Sequence, residues 1–376
     1  MNSERQHNHD NRKTHLQHID EQISCVDLFC GVGGLTHGLI REGIDVLAGV
    51  DLDPQCRFPY EHNNNTTFVK RDIRELSSDE LIKMFGNSKL RLLAGCAPCQ
   101  PFSTYSRKSR KVKHDEKWDL VSDFGRLVRD TQPEFVTMEN VPQLLHYEVF
   151  QNFLADLKHY SISWSVINCA DYGVPQSRKR LVLIASKLGK VELLIPDRLE
   201  ENNSTVRKAI SHLSPLEAGS CDPKDRLHTA SSLSEINLKR IRASKPGGTW
   251  RDWDESLLAP CHRKQSGQTY PSVYGRMKWD APAPTITTQC FGYGNGRFGH
   301  PEQHRAISLR EAAILQTFPE DYIFLPPEEP VIFDKLGRLI GNAVPVRLGE
   351  IVARSILQTK IRGERSILDM RESTHE

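Results

Sequence analysis

Two thiols, one carboxylate and a pair of guanidinium groups stand where this chain could do chemistry. Cys96 and Cys99 lie in Gly95-Cys96-Ala97-Pro98-Cys99-Gln100-Pro101-Phe102-Ser103, directly after the β-prone run Leu90 to Ala94. A cysteine there is expected to face the crevice at a strand end. A thiolate is a strong nucleophile, but a free thiol has a pKa of about 8.5, so its site must lower that value or stabilise the adduct. Three other readings apply to the pair: a buried pair of thiols, a redox Cys-x-x-Cys, or half a zinc site. The zinc reading lacks a second half, because Cys261-His262 is the only other compact candidate and its spacing does not resemble a finger. Glu139 closes the run Phe135 to Met138, and a carboxylate at a strand end is either solvated or a general acid. Arg178 and Arg180 precede the run Leu181 to Ala185. They are expected on opposite sides of an extended segment, leaving one to enter a site from a given face.

A ligand is suggested by Gly31-Val32-Gly33-Gly34, which follows the apolar stretch Ile23 to Phe29 and precedes a helical pattern from Leu35. Strand, tight turn and helix in that order suit a nucleotide-type ligand, although glycines there also serve close packing alone. Asp51 ends the next strand, Val46 to Val50. An acid in that position can bridge two ribose hydroxyls, and the crevice at the carboxyl ends of parallel strands can hold any adenosine compound.

These residues need a scaffold. Further strands fit Ile162 to Ile167 and Leu181 to Ala185. Helical spacing puts Leu120, Phe124, Leu127 and Val128 on one face, and Val149, Phe150, Phe153, Leu154 and Leu157 on another. Strands alternating with helices imply an α/β fold with a mostly parallel sheet covered on both faces. From about Lys187 the alternation stops, and Lys245-Pro246-Gly247-Gly248 and Gly292-Tyr293-Gly294-Asn295-Gly296 divide the chain into short, turn-rich pieces. Ser308 with Glu311 has the spacing of a capping box. A final helix is expected over Val346 to Leu357, packing back on the first domain. The expected organisation is a flexible polar tail over 1–20, a catalytic and cofactor domain over 21–188, a smaller domain over 189–304, a hinge and return segment over 305–338, a C-terminal helix over 339–359, and a polar tail over 360–376.

Composition removes several classes. With 376 residues, 38% hydrophobic and 26% charged, the chain is neither fibrous nor wholly disordered. Its longest apolar run, Leu181 to Ala185, is far short of the roughly 20 residues that span a bilayer. The first twenty residues are polar, with scattered His7, His9, His15 and His18, and give no export signal, so a cytoplasmic location is expected. Nine cysteines, an odd number, suit reduced thiols. A net charge of +2 supplies no global pull on nucleic acid. One local excess does exist: Arg107, Lys108, Arg110, Lys111, Lys113 and Lys117 face only Asp115 and Glu116.

Taken in order, these motifs resemble the bacterial DNA (cytosine-5-)-methyltransferases. The resemblance rests on Asp27-Leu28-Phe29-Cys30-Gly31-Val32-Gly33-Gly34, Asp51, Asp72-Ile73, Pro98-Cys99-Gln100, Glu139-Asn140-Val141, Gln176 to Arg180, Arg310-Glu311-Ala312 and Gly341-Asn342-Ala343-Val344-Pro345. It implies a Rossmann-like S-adenosylmethionine-dependent methyltransferase domain with a smaller, turn-rich target-recognition domain. It also implies methylation of carbon 5 of cytosine in a specific double-stranded DNA sequence, by base flipping and a covalent Cys99 adduct. Carbon 5 is a poor nucleophile until a thiolate adds at carbon 6 and turns the ring into an enamine.

By that resemblance Glu139 contacts ring nitrogen 3 and the exocyclic amine, Arg180 the base carbonyl oxygen, and Arg178 supports them. The donor's shell comprises Phe29, Gly31, Val32, Gly33, Gly34, Asp51, Leu52, Asp72, Ile73, Pro98, Leu120, Asn342 and Val344. Cys30 replaces the family's usual alanine or serine, and Leu52 offers less stacking surface than the aromatic of some relatives. Gln100, Ser103, Arg107, Lys108, Arg110, Lys111 and Lys113 are expected to close over DNA. A double-stranded DNA substrate, no membrane, no metal, a monomer, and a functional pairing with a restriction endonuclease or a solitary role complete the expectation. A transfer-RNA cytosine-5 methyltransferase and a non-catalytic DNA-binding module are the alternatives. The first carries Cys-Phe-Thr where this chain has Cys290-Phe291-Gly292; the second has no chemical reason to keep both Cys99 and Glu139.

Overall fold

A computed structural model describes residues 22–98, 119–195, 204–265, 267 and 272–372. Seven strands form one sheet: β1 (Ile23–Leu28), β2 (Asp45–Asp51), β3 (Thr67–Lys70), β4 (Leu90–Gly95), β5 (Phe135–Asn140), β6 (Ser161–Asn168) and β7 (Lys179–Ser186). Their spatial order is β3-β2-β1-β4-β5-β7-β6. The first five pair in parallel, and only β7 runs against its neighbours. The sheet is therefore mostly parallel and α/β. The order reverses at β1, between β2 and β4, and the carboxyl ends of strands at such a switch point open a ligand crevice.

Buried side chains cover both faces. On one, Phe124, Leu127 and Val128 of α4 (Asp119–Thr131) and Phe150 and Phe153 of α5 (Glu148–Asp156) pack over Val26, Leu93 and Val136. The helices α1 (Gly34–Arg41), α2 (Arg57–Asn64) and α3 (Ser78–Phe85) complete the alternation. The last of these begins with a complete Ser77/Glu80 capping box.

Beyond the sheet, α6 (Val206–Ile210) and α7 (Glu235–Ala243) are the α-helices described between residues 204 and 304. The rest of that region is turns and isolated bridges such as Pro246 with Arg276 and Arg276 with Gly299. Ile241, Trp250, Trp253, Tyr293 and Ala306 form its small core. The stretch that follows α7 ends by docking on the sheet-bearing part of the chain. Ser177 and Ala283 exchange backbone bonds with Ala283 and Pro175 at 2.8 and 2.9 Å, and the Ile286 amide donates to Gln176 Oε1 at 2.8 Å.

Next comes α8 (Leu309–Leu315), whose Ser308/Glu311 capping box is present. Here Glu311 does double duty, because Arg305 donates to its two oxygens at 2.7 and 2.8 Å with both side chains fully buried. A charged pair at that depth needs such a two-pronged match to offset its desolvation.

The helix expected from Val346 is present, while the start of the 339–359 segment belongs to a second helix that precedes it. Two helices lie there, α9 (Phe333–Asn342) and α10 (Val346–Glu372). The break falls before Pro345, which disfavours helical backbone at Val344 and has no amide to donate. The polar stretch beyond Lys360 continues the helix to Glu372. α10 packs on α1 at a close crossing, where a Cβ on Gly38 would meet the Val346 carbonyl and one on Gly349 the Leu35 carbonyl. Arg41 to Glu350 at 2.9 Å and Arg354 to Glu42 at 2.8 Å flank the crossing.

Candidate active site

At the carboxyl ends of β1, β2, β4 and β5 lies a cavity of about 310 Å³, at the lower end of the range for small-molecule sites. Its first wall is the turn after β1. Phe29 has φ 59° and Gly31 φ 52°, both in the left-handed region, which is costly for a phenylalanine and is a mark of functional turns. The turn brings the Gly31 amide to Asp51 Oδ2 at 2.9 Å, while the Asp53 amide donates to Asp51 Oδ1 at the same distance. Two fixed donors thus aim the carboxylate into the cavity. Burial raises its pKa and these backbone bonds oppose that shift.

Phe29, Gly31, Val32, Asp51, Leu52, Asp72, Ile73, Pro98, Leu120, Asn342 and Val344 all line this cavity. Gly33 and Gly34 do not. Gly33 caps α1 in the left-handed conformation, and a Cβ on Gly34 would run into the Val344 carbonyl oxygen. Gly34 thereby lets the helix and the segment before α10 meet beside the cavity, whereas a Cβ on Gly33 would meet Asn64, Tyr60 and Tyr322.

The opposite wall carries the ring-binding candidates. Glu139 and Arg180 sit on β5 and β7, with Arg180 Nε 2.7 Å from Glu139 Oε1. Both are largely buried, so each neutralises a charge that would be costly alone. Arg178 also lines the cavity, which overturns the expectation that the two arginines face opposite sides: residues two apart on an extended segment share a face. Arg178 is committed to scaffolding, donating to the carbonyls of Ile286 at 3.1 Å and Ala343 at 3.4 Å.

Cys99, Gln100, Ser103, Arg107, Lys108, Arg110, Lys111 and Lys113 lie outside the described residues. The approach to Cys99 is nonetheless defined. Asn140 Nδ2 donates to the Ala97 carbonyl at 3.1 Å while its Oδ1 accepts from the Val141 amide at 2.9 Å. The neighbour of Glu139 thereby ties β5 to the segment that leads into Cys99. Cys96 lines the same cavity, but burial, with the Glu139 and Asp27 carboxylates nearby, pushes its thiol up and keeps it protonated.

Sequence reasoning gave no role to Asp27, Asn140, Asp53 or Arg338, all of which line the cavity. Asp27 and Asn140 stand inside quoted motifs, which was the available signal; Asp53 and Arg338 had none. The Thr36 hydroxyl donates to Asp27 Oδ2 at 2.7 Å, whereas the buried Oδ1 has no hydrogen-bond partner among the described residues. Burial raises the Asp27 pKa from 3.8 to about 7, the Thr36 bond opposing and the Asp51 charge adding to it.

Because the folded-state value lies above the unfolded one, the folded protein holds a proton that the unfolded chain has lost between about pH 4 and 7. Stability from this group is full below that window and falls as pH rises through it. Asp27→Asn is therefore expected to raise the thermal unfolding temperature at pH 8, by an amount that shrinks toward pH 4. Calorimetry at the two pH values checks this.

The region between α6 and α8 also sorts its cations. Arg276 is buried and donates to the carbonyls of Ile241, His300 and Gln303 and to His304, so it is scaffold. Trp250 and Trp253 are core. Arg251, Arg263, Lys264, Lys278 and Arg297 are exposed, and Tyr270 lies outside the described residues.

A cavity at a sheet's switch point, with an aimed acid on one wall and a carboxylate–guanidinium pair on the other, is the arrangement of an α/β protein that binds a nucleotide-type ligand. The profile of one family, C-5 cytosine-specific DNA methylase, matches residues 23–358. The chain belongs to that family: it is an S-adenosylmethionine-dependent enzyme that methylates carbon 5 of cytosine in DNA.

Among its relatives, the Type II methylase M.HgiDII of Herpetosiphon aurantiacus is 54% identical, over 88% of this chain and 94% of that protein. The Type II methyltransferase M1.HphI of Haemophilus parahaemolyticus is 32% identical, over 89% and 87%. A crystal structure described as a DNA modification methyltransferase encoded within an E. coli prophage superimposes with a TM-score of 0.70 at 23% identity, covering 90% of this chain and 99% of that one. That last likeness concerns the fold. Among the described residues, no helix is long and apolar enough to cross a membrane.

Proposed function

We propose that this enzyme is the modification half of a Type II restriction–modification system, acting as a monomer in the bacterial cytoplasm on cytosine within one duplex sequence. The observation that carries the reading is the Glu139–Arg180 pair, 2.7 Å apart on a cavity whose other wall is the Asp51 cradle. It puts groups suited to a pyrimidine's ring nitrogen and carbonyl oxygen within one space with groups suited to an adenosine compound.

In this reading Phe29, Ile73 and Leu120 enclose the adenine, Asp51 holds the ribose, and Asn342 and Val344 close the shell. S-adenosylmethionine, when bound, supplies an electrophilic methyl group. The chain's own residues do the rest. Cys99 adds as a thiolate to carbon 6 of a cytosine rotated out of the duplex, a rotation costing a few kcal/mol that protein contacts offset; once carbon 5 carries the methyl it gives up its own proton to solvent, the Cys99–carbon 6 bond breaks, and the thiolate leaves with the ring restored. Glu139 donates a hydrogen bond to ring nitrogen 3 or protonates it, relieving the charge that thiolate addition creates. Arg180 turns to the base carbonyl oxygen and Arg178 keeps the wall rigid. The basic segment from Gln100 to Lys117 neutralises phosphates, and the smaller domain over 189–304 reads the sequence. The endonuclease pairing is drawn from the Type II names of the relatives.

Incubation with labelled donor and mixed-sequence DNA, followed by digestion to nucleosides, tests the reading. The label is expected on 5-methyl-2′-deoxycytidine within one recurring sequence, and that methylation is expected to block one endonuclease. Label on adenine, on the cytosine amino group, or only on RNA overturns it.

A further inference from the structure

One side of the cavity is closed by a contact that the motifs do not account for. Arg338 extends from α9, and its guanidinium donates through Nη1 to Asp53 Oδ2 at 2.5 Å and through Nη2 to Gln55 Oε1 at 2.7 Å. The fork joins a helix near the end of the chain to the turn after β2. Arg338 and Asp53 both line the cavity.

The turn it grips is the one that aims Asp51. Asp53 Oδ1 accepts from the Gln55 amide at 3.0 Å, so the Asp53 carboxylate organises the turn with one oxygen and receives Arg338 with the other. The Asp53 amide in turn donates to Asp51 Oδ1 at 2.9 Å. A connected path therefore runs from the guanidinium through Asp53 to the acid assigned to the ribose.

The other end of the path is anchored as well. A Cβ on Gly337 would meet the Phe291 ring, and one on Gly341 the Thr287 and Thr288 backbone, so α9 lies against that segment with no room to slide. Leu339 and Asn342 of the same helix face the cavity beside Arg338. The side chains of Arg338 and Asp53 are 41% and 28% exposed. An ion pair that open contributes little to global folding, and its effect is expected to be local to the turn.

We propose that Arg338 is a positioning residue for the methyl donor: acting through the Asp53 turn, it keeps Asp51 aimed at the ribose and holds the cavity's side closed around the nucleoside. The proposal rests on the reading of this cavity as the donor site with Asp51 on the ribose. The guanidinium fork is suited to the role because it can reach a carboxylate and an amide oxygen together, which a lysine ammonium does with less geometric control.

The test uses the full-length protein, with S-adenosylmethionine and S-adenosylhomocysteine binding measured by calorimetry and steady-state turnover measured on substrate DNA. For Arg338→Ala, both dissociation constants and the donor KM are expected to rise about three- to tenfold. The kcat at saturating donor is expected to stay within about twofold, with the unfolding temperature of the donor-free protein unchanged. Arg338→Lys is expected to recover part of the lost affinity. Asp51→Ala is run alongside to test the cavity itself.

If Asp51→Ala weakens donor binding and Arg338→Ala does not, the positioning role is wrong and the site assignment survives. If Asp51→Ala also binds donor like the parent, the assignment of the cavity is wrong and the proposal goes with it. A fall in kcat with unchanged KM in Arg338→Ala, or a loss of folding stability that accounts for the weaker binding, overturns it too.

Discussion

Cys99→Ser is expected to abolish methyl transfer, lowering turnover by at least about a thousandfold, or about 4 kcal/mol of transition-state stabilisation. A serine hydroxyl is far less ionised and less nucleophilic than a thiol near neutral pH, so the addition that activates carbon 5 is lost while the duplex-binding surface remains. Cys96 cannot substitute, since burial and two neighbouring carboxylates hold its thiol protonated; Cys96→Ser should keep most activity.

The decisive measurement is covalent trapping. An oligonucleotide carrying 5-fluorocytosine at the target position should remain attached to the parent enzyme through denaturing electrophoresis in the presence of donor. It should not remain attached to Cys99→Ser. Trapping that persists in Cys99→Ser would move the nucleophile elsewhere, and equal loss of turnover at both thiols would point to a redox or metal role for the pair.

Glu139→Gln should lower turnover by about a hundred- to ten-thousandfold, the span associated with losing a positioned general acid. The amide keeps the size of the side chain and one acceptor but can neither deliver a proton nor balance Arg180. With Arg180 Nε 2.7 Å from Glu139 Oε1, the substitution also leaves a mostly buried guanidinium without its counter-charge, which is costly. Part of the loss can therefore come from a displaced Arg180. Arg180→Ala made alone and together with Glu139→Gln separates the two, because residues that act as a unit are not additive. A turnover for Glu139→Gln within tenfold of the parent would remove Glu139 from the acid role.

Much of the sheet-bearing domain is legible in the sequence, and the reason is physical. Strands buried on both faces are nearly continuous apolar runs, so the parallel β1, β2, β4 and β5 and the antiparallel but equally buried β7 announce themselves. By contrast β3 is four residues, Thr67–Lys70, of which only Phe68 is buried, and so short a run carries no periodicity. The cavity residues could be read because the family motifs cluster at strand ends.

What could not be read depends on contacts between distant segments. Gly34 looks like a ligand glycine in the sequence, yet its lack of a Cβ admits the Val344 carbonyl. Arg276 is one more cation of the turn-rich region by sequence, yet it is spent on buried acceptors. Arg338 and Asp53 lie 285 residues apart, and no local pattern announces their meeting. The length of α10 was hidden for a different reason: the sequence beyond Lys360 is mostly polar and carries no clear apolar stripe.

The stitching of Ala283 and Ile286 to Pro175, Gln176 and Ser177, together with the tight seat of α9 on Thr287 and Thr288, bears on how such an enzyme acquires a new target. Those few residues belong by sequence to the turn-rich region but by contact to the sheet-bearing domain. With the turn-rich region in its proposed role as reader, a chimera that imports another protein's specificity would have to splice upstream of Ala283; a junction drawn further on would also exchange the backing of the cavity.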